Sequence, residues 1–473
     1  MEDGLNGDDR TAGRSLVSGI MFSPRGGSAH VARALIRELG GRGWSARLVS
    51  GSRSDRGDDA DAEAFYAGID LRAVDFAPAL READPLLPSP GVVPMHPSFE
   101  QRPGAPDPVF ALLDDGEFER QVDAWARQLQ LAGAADADVL YLHHLTPLNE
   151  AAARIAPDVP AVGHLHGTEL LMLEQIEGGA PAEWSFATKW GKRLREWAAS
   201  CTRLLVSPAG LDRAEQLLDV EREKLIRLPN GFDPEVFHPL EVDRQAHWRG
   251  HLVERPTALL PSGRVLAYRD RDIEPLAGGV ILLYVGRFTK VKRLPFLIEA
   301  FAAARERFQV PAGLVIVGGH PGEWEGEHPA NTISRLGLSD VFIGGWQPQE
   351  ALPRFIRAAD AVILPSDREQ FGQTLVEGMA CGRPGIAANI LGPAGILEDG
   401  ETGWLFEHDD RAELSDALVE AVNNGDERRR RGEAALRAAR ARFAWPSIAA
   451  RLDQVLSELV EVEGSPSAPA LEG

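Results

Sequence analysis

Short apolar runs that keep alternating with helix-length amphipathic stretches constrain this chain more than any other feature. Residues 15–22 read as a strand, 29–39 as a helix and 46–49 as the next strand, and 139–142 and 161–164 repeat the strand pattern. Runs of this kind suit parallel strands covered by helices on both faces, the βαβ arrangement. A second series starts at 280–285 and continues through 294–305, 314–317, 351–359, 361–364 and 374–380 to 385–388. Because the pattern restarts, and because 473 residues exceed what one core accommodates, the expected fold class is α/β with two Rossmann-like domains.

The stretch Leu228-Pro229-Asn230-Gly231-Phe232-Asp233-Pro234 concentrates turn formers and marks the hinge, so the first domain should span 15–230 and the second 231–444. Residues 51–61 read as a polar loop. Residues 85–108 are too Pro-rich for regular elements and should form a long surface excursion. The segments 1–14 and 464–473 read as disordered tails.

Composition excludes several function classes. No apolar run approaches the roughly 20 residues that span a bilayer, so no integral membrane segment is expected. The polar, acidic start lacks the signature of a secretory signal, which points to the cytoplasm. A net charge of −21 disfavours nucleic acid and anionic lipid as partners, since both demand a surplus of Lys and Arg. Cys201 and Cys381 lie far apart and form no CxxC pair, so a disulfide framework or a zinc site has no support and buried free thiols are expected. Lysine is scarce, with Lys189, Lys192, Lys224, Lys290 and Lys292 the full set.

Chemistry concentrates between Val362 and Pro384. A strand ends at Leu364, a loop carries Glu369 and Gly372, and a helix runs from about Gln373 to Gly382, with Pro384 behind it as breaker. The carboxyl edge of an open α/β sheet is where ligands bind, and a helix start there attracts phosphate. Glu377 lies about 6 Å along that helix, at 1.5 Å per residue, so the two carboxylates should bracket one elongated polyol. A second strand end, Tyr284-Val285-Gly286-Arg287, opens a cationic loop reaching Lys292. A guanidinium and an ammonium there suit an anionic ligand. Gly26 and Gly27 sit between a strand and a helix, where their amides can face an anion or make a plain tight turn. His164-Leu165-His166-Gly167-Thr168-Glu169 follows another apolar strand, as do His143 and His144.

Glu369 and Glu377 with Phe371-Gly372 between them, a Gly-x-Pro ending and the Gly286-Arg287 to Lys292 pattern together resemble the signature of the family 4 retaining glycosyltransferases of the GT-B fold. The resemblance covers most of 15–459 and is loose between 51 and 120. It implies two Rossmann-like domains facing a central cleft, with the first taking the acceptor and the second a nucleotide sugar. It also implies that 445–463 closes the chain by crossing back to the first domain. Glu369 would hold the donor sugar and Glu377 the ribose, and Arg287 and Lys292 would stabilise charge on the departing diphosphate. Amides around Phe371, Gly372, Gln373, Thr374 and Leu375, with Gly286, Gly26 and Gly27, would contact sugar and diphosphate. His166 would lie near the reacting sugar, with His144, Thr168 and Glu169 beside the acceptor. Gly43-Trp44 stands where the family often has Gly-His, and Gly395 where it often has Glu.

Acceptor choice should lie in the loose region, where His96 and Glu100 are candidates. The implied reaction moves a sugar, from UDP by family frequency, to a small hydrophilic hydroxyl acceptor such as an amino-bearing cyclitol of secondary metabolism. It proceeds with retention and needs no metal or other cofactor. Asp59-Ala60-Asp61 and Asp136-Ala137-Asp138 spell the metal triplet DxD of another glycosyltransferase fold, but neither ends a buried strand. Gly318-Gly319 is either a turn or a ligand contact. Rival readings are an epimerase or phosphorylase on the same architecture and a non-catalytic sugar-nucleotide-binding protein.

Overall fold

The computed structural model describes residues 13–24, 26–100, 106–320 and 324–463. The chain divides into two compact units. Residues through Leu228, with those from Ala449 onward, make one, and Pro229–Ile448 makes the other. The expected tails fall outside the described residues except for Gly13 and Arg14. Arg14 is no tail residue: its guanidinium pairs with Asp453 at 3.0 Å and stacks over the Trp44 ring at 4.7 Å.

The first unit carries a seven-stranded parallel sheet, made of β1 (Ser15–Ile20), β2 (Ser45–Ser52), β3 (Asp70–Asp75), β4 (Val139–His143), β5 (Ala161–His164), β6 (Arg203–Val206) and β7 (Leu225–Arg227), in the order β3-β2-β1-β4-β5-β6-β7. The helix Gly27–Gly40 follows β1 and buries Val31, Ala32, Leu35, Ile36 and Leu39, an i, i+3, i+4 stripe that seats it on the sheet. Three strands of this sheet escape the periodicity reading, as do Val341–Gly345 and Gly403–Phe406 in the second unit. β3 (DLRAVD) is a polar edge strand, while β6 and β7 run for only four and three residues. β2 also extends through Ser52, so Gly51 and Ser52 belong to the sheet rather than to the expected polar loop.

The second unit repeats the design with β8 (Val280–Gly286), β9 (Ala312–Gly318), β10 (Val341–Gly345), β11 (Ala361–Leu364), β12 (Gly385–Ala388) and β13 (Gly403–Phe406), ordered β10-β9-β8-β11-β12-β13 and all parallel. β8 (VILLYVG) is buried along nearly its whole length because apolar side chains pack on both faces of the sheet. In each sheet the strand order reverses beside the first strand, between β1 and β4 and between β8 and β11. Crevices outside the carboxyl ends of such strands are where open α/β sheets hold ligands.

The last helix, Trp445–Glu463, changes allegiance along its length. Its first turn stays with the second unit, where the Trp445 amide donates to Phe232 O at 3.0 Å. From Ala449 it belongs to the first unit, and Asp453 there accepts a 2.8 Å hydrogen bond from Trp44 Nε1. The switch falls inside the helix, not at Trp445.

Candidate functional site

In the second unit, the ends of β8 and β11 bring the expected residues together. The Lys292 ammonium and the Glu369 carboxylate form an ion pair, both largely shielded from solvent. Lys292 closes the 3-10 turn Lys290–Lys292 behind β8, and Glu369 lies in the loop behind β11, where its carbonyl accepts from the Gly392 amide at 3.0 Å. Arg287 stays exposed and forms no ion pair with any described residue. Its backbone carbonyl is fixed by the buried Tyr284 hydroxyl at 2.8 Å, which leaves the guanidinium free to turn towards a ligand.

Gly372 starts the helix Gln373–Ala380 with φ 103, a left-handed geometry that favours glycine and turns the chain sharply from loop to helix. As its first residues, Gln373 and Thr374 have amides without an intrahelical acceptor, so they can meet an anion. The Leu375 amide is different. It already donates to Gly372 O at 2.9 Å and its side chain is fully buried, so the expected donor contact from Leu375 is withdrawn. Phe371 is a packing residue, edge-on to Phe443. Thr374 Oγ1 donates to Val285 O at 3.3 Å, tying the helix to the end of β8 beside Gly286.

Glu377 is buried, and its Oε1 accepts from Gln373 Nε2 at 3.2 Å while the same amide donates to Gly231 O at 2.9 Å. Desolvation pushes its carboxyl up to about 7, partly offset by the Gln373 hydrogen bond. The expected ribose contact therefore starts from a half-neutral, buried acid rather than a solvated carboxylate. Gly318 proves to be a packing glycine: a Cβ there would sit 1.9 Å from Gly286 O.

In the first unit, Gly26 and Gly27 are exposed at the start of the helix Gly27–Gly40. Arg25 lies outside the described residues. An aromatic row crosses the carboxyl edge of the sheet: His96 packs edge-on to Phe22 at 5.2 Å, Phe22 to His144 at 5.0 Å, and His144 lies 4.5 Å from His166. His96 is buried with Nδ1 against Pro97 O at 2.9 Å, which makes it part of the wall and not an open acceptor contact. Glu169 is fully buried and pairs with His144 Nδ1 at 2.7 Å, so it positions His144 and does not reach outward. Thr168 and His166 stay half-buried, and Glu100 is exposed.

Sequence reasoning undervalued His143 and His164. His143 Nδ1 lies 3.0 Å from His166 Nε2, and Tyr141 OH lies 2.6 Å from His164 Nδ1. The signal was present as His164-x-His166, which puts both rings on one face of an extended chain. Burial first, then the neighbouring histidines, hold His143 and His166 well below the usual imidazole range and His164 at about 3, so these rings are neutral at physiological pH. The DxD at 136–138 is structural, because Asp138 Oδ2 accepts from the Ser15 amide at 2.6 Å.

Among the described residues, no helix is long and apolar enough to cross a membrane. Two family models match: Glycosyltransferase Family 4 over 25–236 and Glycosyl transferases group 1 over 269–438. The D-inositol 3-phosphate glycosyltransferase of Thermobispora bispora is 33% identical over 187 residues, covering 38% of this chain and 44% of that protein. The protein of the same name from a Nocardioides species is 30% identical over 357 residues, 71% of each chain. Among solved structures, sucrose-phosphate synthase from Thermosynechococcus elongatus superposes with a TM-score of 0.65 at 17% identity, covering 95% of this chain and all of that one. Anabaena Alr3699/HepE in complex with UDP gives 0.62 at 18%, covering 94% and 100%. These two likenesses establish the α/β fold of two Rossmann-like units. With both models matched and a relative at this identity aligned along most of its length, the chain belongs to the group 1, family 4 glycosyltransferases.

Proposed function

We infer that the chain transfers a sugar from a nucleoside diphosphate donor to a hydroxyl of a small hydrophilic acceptor, with retention and without a metal at the reacting bond. The observation that carries this reading is the Lys292–Glu369 pair at the reversal point of the second sheet, beside the exposed Arg287 and the free amides of Gln373 and Thr374. Two cations and a helix start in one place suit a diphosphate whose charge grows as the glycosidic bond breaks.

In this reading Arg287 and Lys292 stabilise the leaving group, Glu369 holds the sugar and orients Lys292, and Glu377 binds the ribose. The acceptor hydroxyl attacks on the face the diphosphate leaves, and the departing phosphate oxygen takes its proton, so no enzyme nucleophile is required. His166 and Thr168 are the acceptor-side candidates with access to solvent. The HepE structures solved with UDP and with UDP-glucose support a uridine donor. Relatives named for D-inositol 3-phosphate, and one from Bacillus anthracis named N-acetyl-alpha-D-glucosaminyl L-malate synthase, support a small polyhydroxylated or hydroxy-acid acceptor.

A panel of nucleotide sugars screened by thermal shift tests the donor. The expected result is selective stabilisation by one UDP-sugar, and stabilisation by none of them sinks the reading. Product stereochemistry from NMR must then show the donor's anomeric configuration preserved.

A further inference from the structure

Three imidazoles gather at the carboxyl edge of the first sheet. His143 ends β4 and His164 ends β5, and the two are register partners in adjacent parallel strands, so both side chains leave the same face. His166, two residues beyond His164, returns to that face. One ring nitrogen from each lies within 4.8 Å of the others.

We propose that His143, His164 and His166 form a binding site for one transition-metal dication of the zinc class. Imidazole suits zinc, copper or nickel and disfavours magnesium and calcium. His143 Nδ1 and His166 Nε2 already stand 3.0 Å apart. Two ligand nitrogens on a tetrahedral ion with bonds of about 2.0–2.1 Å sit roughly 3.3 Å apart, so small ring rotations exchange that hydrogen bond for coordination. The Tyr141 hydroxyl engages His164 Nδ1 at 2.6 Å, which fixes the ring and leaves Nε2 to the ion.

A dication on three neutral ligands keeps its charge in a poorly solvated place, which calls for a nearby anion. A carboxyl group stands one ring away from the cluster. Glu169 is fully buried, its Oε1 meets His144 at 2.7 Å, and its Oε2 has no partner among the described residues. The His144 ring in turn lies 4.5 Å from His166. The ion clamps the ends of β4 and β5 together and, by holding His166 through one ring nitrogen, fixes the orientation of a ring that the proposed function places on the acceptor side.

The full chain, freed of any affinity tag and treated with chelator, is titrated with Zn²⁺ by calorimetry and with Co²⁺ by visible absorption. We expect one ion per chain, the intense ligand-field bands of four-coordinate cobalt, and a Tm that rises with Zn²⁺ concentration. His143→Gln and His164→Gln should each weaken binding by more than about tenfold. His251→Gln, which removes one ring of the His247/His251 pair in the second unit, should leave it unchanged. If the buried His164→Gln variant does not fold, the half-buried His166→Gln variant replaces it. Absence of stoichiometric binding, a spectrum showing only six-coordinate cobalt, or binding that survives the β4 and β5 substitutions overturns the proposal.

Discussion

Lys292 and Glu369, 77 positions apart in sequence, are ion-paired with both side chains mostly shielded from water. Residues assigned separately to diphosphate and sugar are thus coupled before any ligand arrives. In the proposed reaction this pairing would hold the ammonium in place, so that little reorganisation would be needed as charge develops on the leaving oxygen.

Removing that ammonium should act mainly on the transition state. Lys292→Ala is expected to lower kcat by roughly 10²–10³ with a smaller change in KM. Glu377→Ala should instead chiefly weaken nucleotide binding. Steady-state kinetics with UDP inhibition constants for both variants check the division, and the reverse pattern overturns it.

Glu377 makes stability fall as pH rises. Its folded carboxyl titrates at about 7 against the usual 4.5, so between these values the folded state binds more proton than the unfolded one. The penalty is absent below about pH 4.5 and complete above about pH 7, where it amounts to about 3 kcal/mol. Glu377→Gln keeps an acceptor for Gln373 and cannot ionise. Its Tm should exceed the parent's at about pH 8 and converge with it at about pH 5. A difference in Tm that does not change with pH contradicts the burial argument.

The residue group around Lys292 and Glu369 in the second unit was legible because loop residues, helix cap and cation spacing are local features. Glu369, Gly372 and Glu377 fall within one strand-loop-helix segment, and Lys292 stands out against an arginine-rich background. The histidine row of the first unit was not legible to the same degree. Whether His96 and Glu169 face outward or inward depends on contacts with Phe22 and His144, made by segments distant in sequence, and no local pattern encodes that. The same holds for β3, β6 and β7, which are too short or too polar to show a period yet pair because neighbouring strands offer them an edge. Leu375 failed for a simpler reason: in the third position of a helix, its amide can already bond back to Gly372.

Glu169 should matter for stability more than for catalysis. Glu169→Ala leaves His144 buried without its partner and opens a void, at a cost of about 1–3 kcal/mol. Glu169→Gln retains a hydrogen bond and should cost less. Thermal melts rank the two, and equal Tm values would remove the positioning role.

The role of Trp44 follows from the last helix. Its Nε1 donates to Asp453 at 2.8 Å, and Arg14 pairs with the same carboxylate while stacking on the indole. One group from the strand entry and one from the helix exit therefore share a single carboxylate on the final helix. Arg14 is about one-third exposed, so its ion pair adds little, and most of the anchoring rests on the indole N–H and the packed ring. Trp44→Phe keeps the ring and loses the N–H, and should cost about 1 kcal/mol, whereas Asp453→Ala strands both donors and should cost more. Limited proteolysis offers a separate reading: Asp453→Ala should expose the final helix to cleavage under conditions where the parent resists. Equal cleavage rates would show that apolar packing of Leu452 and Leu456 alone holds the helix.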